Sequence, residues 1–149
     1  MTMIHLPPDF KEFLQLLNDH EVRYLLIGGY AVGYHGYPRA TIDMDIWIEI
    51  HPKNAKKIVR VLKEFGFDSP ELEPELFLEQ DKIVRMGNPP LRLELLTTIS
   101  GVEFDACYQN RIILDFEDIQ INLIALNDLR KNKLASGRHK DLNDLENLL

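Results

Sequence analysis

Cysteine is almost absent from this sequence, and the single one, Cys107, cannot form a disulfide within the chain. It also stands at no spacing that suits a set of metal ligands. Small secreted domains depend on several cysteines, so this usage indicates a reducing compartment. A chain of 149 residues buries a sizeable core without disulfide or metal staples. We therefore expect one domain, residues 1–149, in a cytoplasmic protein.

Long hydrophobic runs and an excess of positive charge are missing too. The longest nearly apolar stretch, Tyr24 to Tyr34, contains glycines and is shorter than the about 20 residues of a membrane helix. The opening MTMIHLPPDFKEF lacks the basic and then apolar layout of a signal peptide. Lys and Arg number 17 against 24 Asp and Glu, a formal net charge of −7. This composition predicts no membrane partner and disfavours a general nucleic-acid clamp, which needs clustered bases.

Turn residues divide the chain into helical and extended segments. Helices are predicted to begin at Asp9 and Pro52 and near Tyr30, Val102 and Asn127. In the first of them Asp9 serves as N-cap, in a capping box with Glu12. The apolar patterns predict strands at Val22–Ile27, Ile42–Ile50, Ile83–Met86, Leu91–Leu96, Arg111–Phe116 and Ile119–Ile124. We expect an α/β fold, α+β in looser terms, with a small mixed sheet flanked by helices.

A glycine pair follows the first strand. Gly28 and Gly29 leave no side chain between the start of a short helix and an approaching anion, which favours a phosphate there. The plain alternative is an ordinary turn, and for a Gly-Gly pair alone that alternative has the greater weight.

Two aspartates interrupt the clearest strand, IDMDIWIEI. Asp43 and Asp45 stand two residues apart, so they share a face with Cα atoms about 6.5–7 Å from each other. Two like charges side by side repel each other unless a cation neutralises them, and aspartate is a poor strand former. The pair indicates a divalent-ion site, and the alternative is a solvated face of an amphipathic strand.

Glu94 is the third candidate. It alternates with leucines in LRLELL and shares a face with Arg92. If its strand lies beside Ile42–Ile50 with matching faces, Glu94 joins Asp43 and Asp45 in an oxygen-rich site of the kind that binds Mg²⁺ with substrate phosphates. By itself Glu94 would form a surface pair with Arg92 or another neighbour.

The order of these pieces carries a resemblance. The stretch LLIGGYAVGYHGYPRATIDMDIWIEI resembles the signature of polymerase-beta-type nucleotidyltransferases, and it is similar to a bacterial family of small nucleotidyltransferase-like proteins related to AbiEii-type toxins. The segments LELLTTISGVEF and DLRKNKLASGRHKDLNDLENL extend the similarity over nearly the whole chain. That family more often has aspartate where this chain has Glu94.

The resemblance implies a polymerase-beta-type fold and transfer of a nucleoside monophosphate from an NTP to an acceptor that is RNA, protein or a small molecule. Asp43, Asp45 and Glu94 would then be catalytic and would hold Mg²⁺, with Mn²⁺ as the alternative. Gly28, Gly29, Arg39, Thr41 and Lys133 would contact the substrate. It also implies a toxin–antitoxin context with a cognate partner protein. The rival hypothesis is a degenerate fold that only binds a nucleotide or a partner.

Other marked residues have plainer interpretations. Lys131, Lys133, Arg138 and Lys140 form the basic cluster of the chain, and a solvated helix with Asp141 and Asp144 as partners is the alternative to phosphate binding. Trp47 and Tyr30 would flank a nucleobase or, more commonly for large aromatic residues, fill the core. His35 is expected to pack locally.

Overall fold

A six-stranded mixed sheet lies at the centre of the computed structural model, which describes residues 6–88 and 92–148. The strands run in the order β3-β4-β2-β1-β6-β5. The β2–β4 and β1–β6 pairs are parallel, and the other neighbours are antiparallel. The strand bounds are β1 Tyr24–Ile27, β2 Asp43–Ile48, β3 Ile83–Met86, β4 Arg92–Leu96, β5 Ile112–Phe116 and β6 Ile119–Leu123.

Six α-helices flank this sheet in the described part of the chain, which confirms the predicted fold class. They are α1 Pro8–Asp19, α2 Gly28–Tyr34, α3 Pro52–Phe65, α4 Phe104–Gln109, α5 Leu126–Ser136 and α6 His139–Asn147. A 3-10 turn, Pro74–Phe77, lies in the acidic loop between α3 and β3. Within residues 6–88 and 92–148, no helix combines the length and the apolar character needed to cross a membrane.

The ends of α3 follow the sequence signals. Pro52 occupies the first turn, where its missing N–H costs no hydrogen bond. Just before it, the His51 side chain accepts a hydrogen bond from the Lys53 backbone N–H at 3.1 Å. Gly66 ends the helix at φ 116°, a left-handed conformation that favours glycine.

The starts of α1 and α2 differ from the predictions. Helix α1 begins at Pro8, so Pro7 is the N-cap and Asp9 stands in the first turn without a capping bond. Proline is already fixed in a helical φ, and this makes the first helical position a better place for Pro8 than a preceding loop. Helix α2 begins at Gly28 rather than near Tyr30, so the glycine pair belongs to the helix.

Both faces of β2 are covered, at different points along the strand. Met44, Ile46 and Ile48 alternate on one face and are fully buried. On the other face Trp47 is 1% exposed, packs edge-on against Phe104 of α4 and donates to the Thr97 carbonyl. The acidic end of β2 thus stays accessible while its other end is core.

The remaining marked aromatic groups also pack locally, as expected. Tyr30 is buried and packs edge-on against Phe10 of α1. The His35 imidazole Nε2 donates to the Ile124 carbonyl at 2.8 Å. This bond links the end of α2 to the residue that follows β6, so the ring has a structural role. Burial lowers the pKa of His35 despite that bond.

Strand register brings the acidic positions together. Asp45 on β2 is the neighbour of Glu94 on β4, and Glu94 is in turn the neighbour of Arg85 on β3. Asp43 is the neighbour of Arg92. Residues 89–91, which include the predicted turn prolines and the predicted first residue of β4, lie outside the described residues.

Candidate functional site

Asp45 is the centre of the candidate site. The residue is partly buried, and its Oδ1 atom is buried without a hydrogen-bond partner among the described residues. Burial, the charge of Glu94, a hydrogen bond with Glu94 and the charge of Asp43 together raise the pKa of Asp45 to about 7, against the opposing charge of Lys140. A buried carboxyl oxygen without a partner is a place for a proton or a cation.

Gly28 allows the backbone to touch that carboxyl group. A Cβ atom at Gly28 would lie 2.2 Å from Asp45 Oδ2, and the residue has φ +68°. No other residue type meets both conditions without strain. The predicted glycine therefore has a specific role, because it places the start of α2 directly against the acid.

Gly29 makes a second close approach. A Cβ atom there would lie 2.6 Å from Thr41 Oγ1 and 3.3 Å from the Nη1 atom of Arg39. The Thr41 hydroxyl donates to the Asp43 carbonyl at 3.2 Å. The structure thus brings the four predicted substrate-binding residues before β2 into one corner beside Asp45.

Arginine side chains bind the two outer carboxylates, those of Asp43 and Glu94. Arg92 Nε and Nη2 donate to Asp43 at 2.8 and 2.7 Å, and this bidentate pair lowers the pKa of Asp43. Arg85 Nε donates to Glu94 Oε1 at 2.8 Å. The predicted partner of Glu94 was Arg92 or another neighbour, and it is Arg85. The sequence signal for Arg85 is the alternation along Ile83–Met86, but only the strand register shows that Arg85 pairs with Glu94.

Helix α6 contributes two buried acids. Asp144 binds Arg39 through two bonds of 2.8 Å, and Lys133 Nζ lies 3.0 Å from Asp141 and 3.1 Å from Asp144. Arg138 also donates to Asp141, at 2.6 Å. These cations lower the pKa values of both aspartates against the opposing effect of burial. The alternative interpretation is right that Asp141 and Asp144 are the partners of the basic cluster, but it is wrong that they are solvated, since they are 1% and 0% exposed.

Arg39 and Lys133 are therefore held by protein carboxylates. Lys133 is 5% exposed, whereas the Arg138 side chain is 75% exposed at the mouth of the site. Arg39 and Lys133 both line a cavity that includes Asp45, and their contact with a phosphate stays a prediction. Arg138, which the resemblance places in its C-terminal motif, and Lys140 are exposed cations that line the same cavity.

Two cavities meet at the carboxylates. The first, about 370 Å³, is lined by Thr41, Asp43, Arg92 and Lys140 and is called the Thr41 cavity. The second, about 400 Å³, is lined by Leu96, Ile99, Ser100 and Asn132 and is called the Ile99 cavity. Gly28, Asp45, Arg85, Glu94, Lys133, Arg138 and Asp141 line both.

The donor set fits a divalent cation in chemistry. Three carboxylates on neighbouring strands supply the oxygen ligands that Mg²⁺ prefers, and Asp45 Oδ1 lacks a partner. Across the described residues, however, no three Asp, Glu, His or Cys side chains already surround one point. Asp43 and Glu94 bind arginine side chains, which stand where a metal ion would otherwise neutralise these carboxylates.

Solved structures share this architecture. A protein of Thermotoga maritima, whose assignment as a nucleotidyltransferase is itself inferred, matches with a TM-score of 0.61 and 17% identity, over 91% of this chain and 87% of its own. The lincosamide antibiotic adenylyltransferase LnuA, with lincomycin bound, matches with a TM-score of 0.56 and 16% identity, over 98% of each chain. At this identity the likeness establishes the fold.

Comparison with curated proteins gives no match. A family model matches residues 5–149, nearly the whole sequence. The match supports the general nucleotidyltransferase prediction, while a relation to AbiEii-type toxins has no support from it. The chain belongs to the family described as nucleotidyltransferase of unknown function, DUF6036.

Proposed function

We propose that this protein transfers a nucleoside monophosphate from an NTP to an acceptor hydroxyl and releases pyrophosphate. The observation that carries the proposal is the buried Oδ1 atom of Asp45, which has no hydrogen-bond partner among the described residues, on a strand position in register with Glu94 and close to Gly28. The family assignment and the shared fold support the reaction class. Mg²⁺, with Mn²⁺ as the alternative, is the proposed ion, because hard oxygen ligands favour it.

The chemistry requires little from the protein beyond position and charge. The acceptor oxygen bonds to the α-phosphorus, the bond between the α-phosphorus and the bridging oxygen to the β-phosphorus breaks, and pyrophosphate leaves. Mg²⁺ bound by Asp43, Asp45 and Glu94 would neutralise phosphate charge. Glu94 would receive the proton of the acceptor hydroxyl.

The remaining residues orient the triphosphate. Gly28 and Gly29 leave room for it beside Asp45, and the Thr41 hydroxyl faces the same corner. Arg138 and Lys140 line the Thr41 cavity and supply positive charge, while Arg39 and Lys133 add charge from within the ion-pair network. A fixed set of cations stabilises phosphate charge without reorganising during the reaction.

Metal-dependent NTP binding is the first test. The unaltered protein should bind an NTP in the presence of Mg²⁺ or Mn²⁺, and the Asp43→Ala, Asp45→Ala double variant should bind it at least about tenfold more weakly. Isothermal titration with and without the metal measures both. Equal metal-dependent affinity for the two proteins would remove the aspartates from the site.

Glu94 provides a test of catalysis separate from binding. Glu94→Gln keeps the shape of the side chain but removes its charge, so we expect most NTP binding to persist while transfer falls by about 100-fold or more. A transfer assay with α-labelled NTP measures the rate. Asp115→Asn is the matched control, since Asp115 lies on the edge strand β5. An unchanged rate in Glu94→Gln would return Glu94 to a surface-pair role.

One observation favours a second candidate function, a module that binds a nucleotide or a partner protein without catalysis. Asp43 and Glu94 are each occupied by an arginine. NTP binding without transfer to any acceptor would support that module. A cognate partner in a toxin–antitoxin pair stays a prediction from sequence resemblance.

A further inference from the structure

The Thr41 cavity and the Ile99 cavity share the carboxylates of Asp45 and Glu94. A group bound over these acids is therefore reached from both cavities. A transfer reaction needs the attacking and leaving oxygens on opposite sides of the phosphorus. Two cavities that share Asp45 and Glu94 suit two substrates, one in each cavity, that react at one phosphorus atom.

The charges of the two linings differ. Asp43, Arg39, Arg92 and Lys140 line only the Thr41 cavity, which gives it three cations beyond the shared residues. Of the described residues that line only the Ile99 cavity, none is charged. The triphosphate, with its several negative charges, belongs in the Thr41 cavity, and the Ile99 cavity is left for the other substrate.

The residues that line only the Ile99 cavity are a mixture of apolar and hydrogen-bonding groups. Ile83, Leu96 and Ile99 supply aliphatic surface, and Thr98, Ser100 and Asn132 supply hydroxyl and amide groups. Its volume of about 400 Å³ is that of a pocket for a small organic molecule.

Nucleic acid suits this lining poorly. Proteins hold single-stranded bases by stacking them on aromatic rings and hold the backbone with bases such as Lys and Arg. The described residues of the Ile99 cavity include no aromatic ring, and its cations, Arg85, Lys133 and Arg138, are all shared with the Thr41 cavity and paired with acids.

We propose that the acceptor is a small, uncharged organic molecule that carries a hydroxyl group and an apolar face, bound in the Ile99 cavity. This inference rests on the proposed function. The acceptor hydroxyl oxygen bonds to the α-phosphorus, pyrophosphate leaves toward the Thr41 cavity, and the hydroxyl proton passes to Glu94.

The experiment uses the full chain and three acceptor preparations. Each α-labelled NTP is incubated with Mg²⁺ and with the dialysable fraction, the total RNA or the protein fraction of a bacterial extract. Label should appear in molecules of the dialysable fraction. Binding of each NTP with Mg²⁺ is titrated separately, without any acceptor.

A pair of variants on α5 locates the acceptor. Ala135 is exposed and lines the Ile99 cavity, so Ala135→Phe puts a ring into it. Leu134→Phe puts the same ring on the adjacent residue, whose side chain is 64% exposed and lines neither cavity. At limiting dialysable fraction, Ala135→Phe should lower the transfer rate by about tenfold or more with NTP binding unchanged, and Leu134→Phe should leave both unchanged.

The outcomes are distinguishable. Label on RNA or on protein would overturn this inference and leave the proposed function intact. An Ala135→Phe variant that transfers to the dialysable fraction as fast as Leu134→Phe would overturn it too, as would NTP binding with no dialysable product. Failure of the unaltered protein to bind any NTP with Mg²⁺ would instead overturn the proposed function, and this inference with it.

Discussion

At the scale of single residues, the site depends on how closely a backbone approaches a carboxyl group. A Cβ atom at Gly28 would lie 2.2 Å from Asp45 Oδ2, far inside ordinary contact, whereas one at Gly36 would meet no atom within 4 Å. Both glycines have positive φ. A side chain at either position would therefore strain the backbone, but only one at Gly28 would also clash with the Asp45 carboxyl group.

The pair gives a controlled prediction. Gly28→Ala and Gly36→Ala should each lower the free energy of unfolding by roughly 1–2 kcal/mol, because a side chain is strained at positive φ. Only Gly28→Ala should also weaken Mg²⁺-dependent NTP binding, since its Cβ displaces the Asp45 carboxyl group. Chemical denaturation and NTP titration measure the two effects. Equal NTP affinity in both variants would show that the contact with Asp45 is unimportant.

The residues of the site were partly predictable from sequence. Strand alternation placed Asp43 and Asp45 on one face and made Glu94 the third candidate, and the resemblance supported the set. The arginine partners were less predictable, because the pair of Arg85 and Glu94 depends on the register between β3 and β4, which no local pattern encodes.

At the scale of elements, α5 and α6 are joined through buried charge. Lys133 on α5 lies between Asp141 and Asp144 on α6, and Asp144 in turn holds Arg39 from the segment before β2. A buried ion pair contributes little net stability, but removal of one partner leaves an uncompensated charge. This network fixes α6 against the Arg39 segment beside the candidate site.

Removal of the central cation should therefore be costly. Lys133→Met should lower the free energy of unfolding by about 3 kcal/mol, because two buried carboxylates lose the cation that they share and keep only one cation each. Lys140→Met, at an exposed position on α6, should change it by less than about 0.5 kcal/mol. Urea unfolding measures both. A small loss in Lys133→Met would instead indicate a lysine kept for substrate contact.

Element boundaries were predictable where proline and glycine determine them. Helix α3 runs from Pro52 to Phe65 and is ended by Gly66, and Gly137 ends α5 just before α6 begins. The polar composition of α6 concealed its role, because Asp141 and Asp144 are buried through ion pairs with Lys133 and, for Asp144, with the distant Arg39. Such pairs follow from tertiary packing, which hydrophobic periodicity does not report.

At the scale of the whole molecule, Asp45 makes stability depend on pH. Its pKa is raised from 3.8 to about 7 in the folded protein. Between those values the folded state keeps a proton that the unfolded state has released. The contribution of Asp45 to the free energy of unfolding therefore falls as the pH rises from about 4 to about 7, and above this range it is fully lost.

Asparagine at this position isolates the effect. Asp45→Asn should raise the free energy of unfolding by roughly 2 kcal/mol at pH 8, where Asp45 is ionised, and change it little at pH 5, where Asp45 is protonated. Thermal or chemical unfolding across this pH range measures the difference between the two proteins. A difference independent of pH would show that Asp45 has an ordinary pKa.

The wall shared by the Thr41 and Ile99 cavities has a consequence for inhibition. Both cavities open on Asp45 and Glu94, so one molecule that joins a polyphosphate to an uncharged hydroxylated group could occupy both at once. Once its first half is bound, the second half binds at the high effective concentration of a tethered ligand. A bisubstrate compound of this kind would gain affinity from the linkage alone, without a new contact.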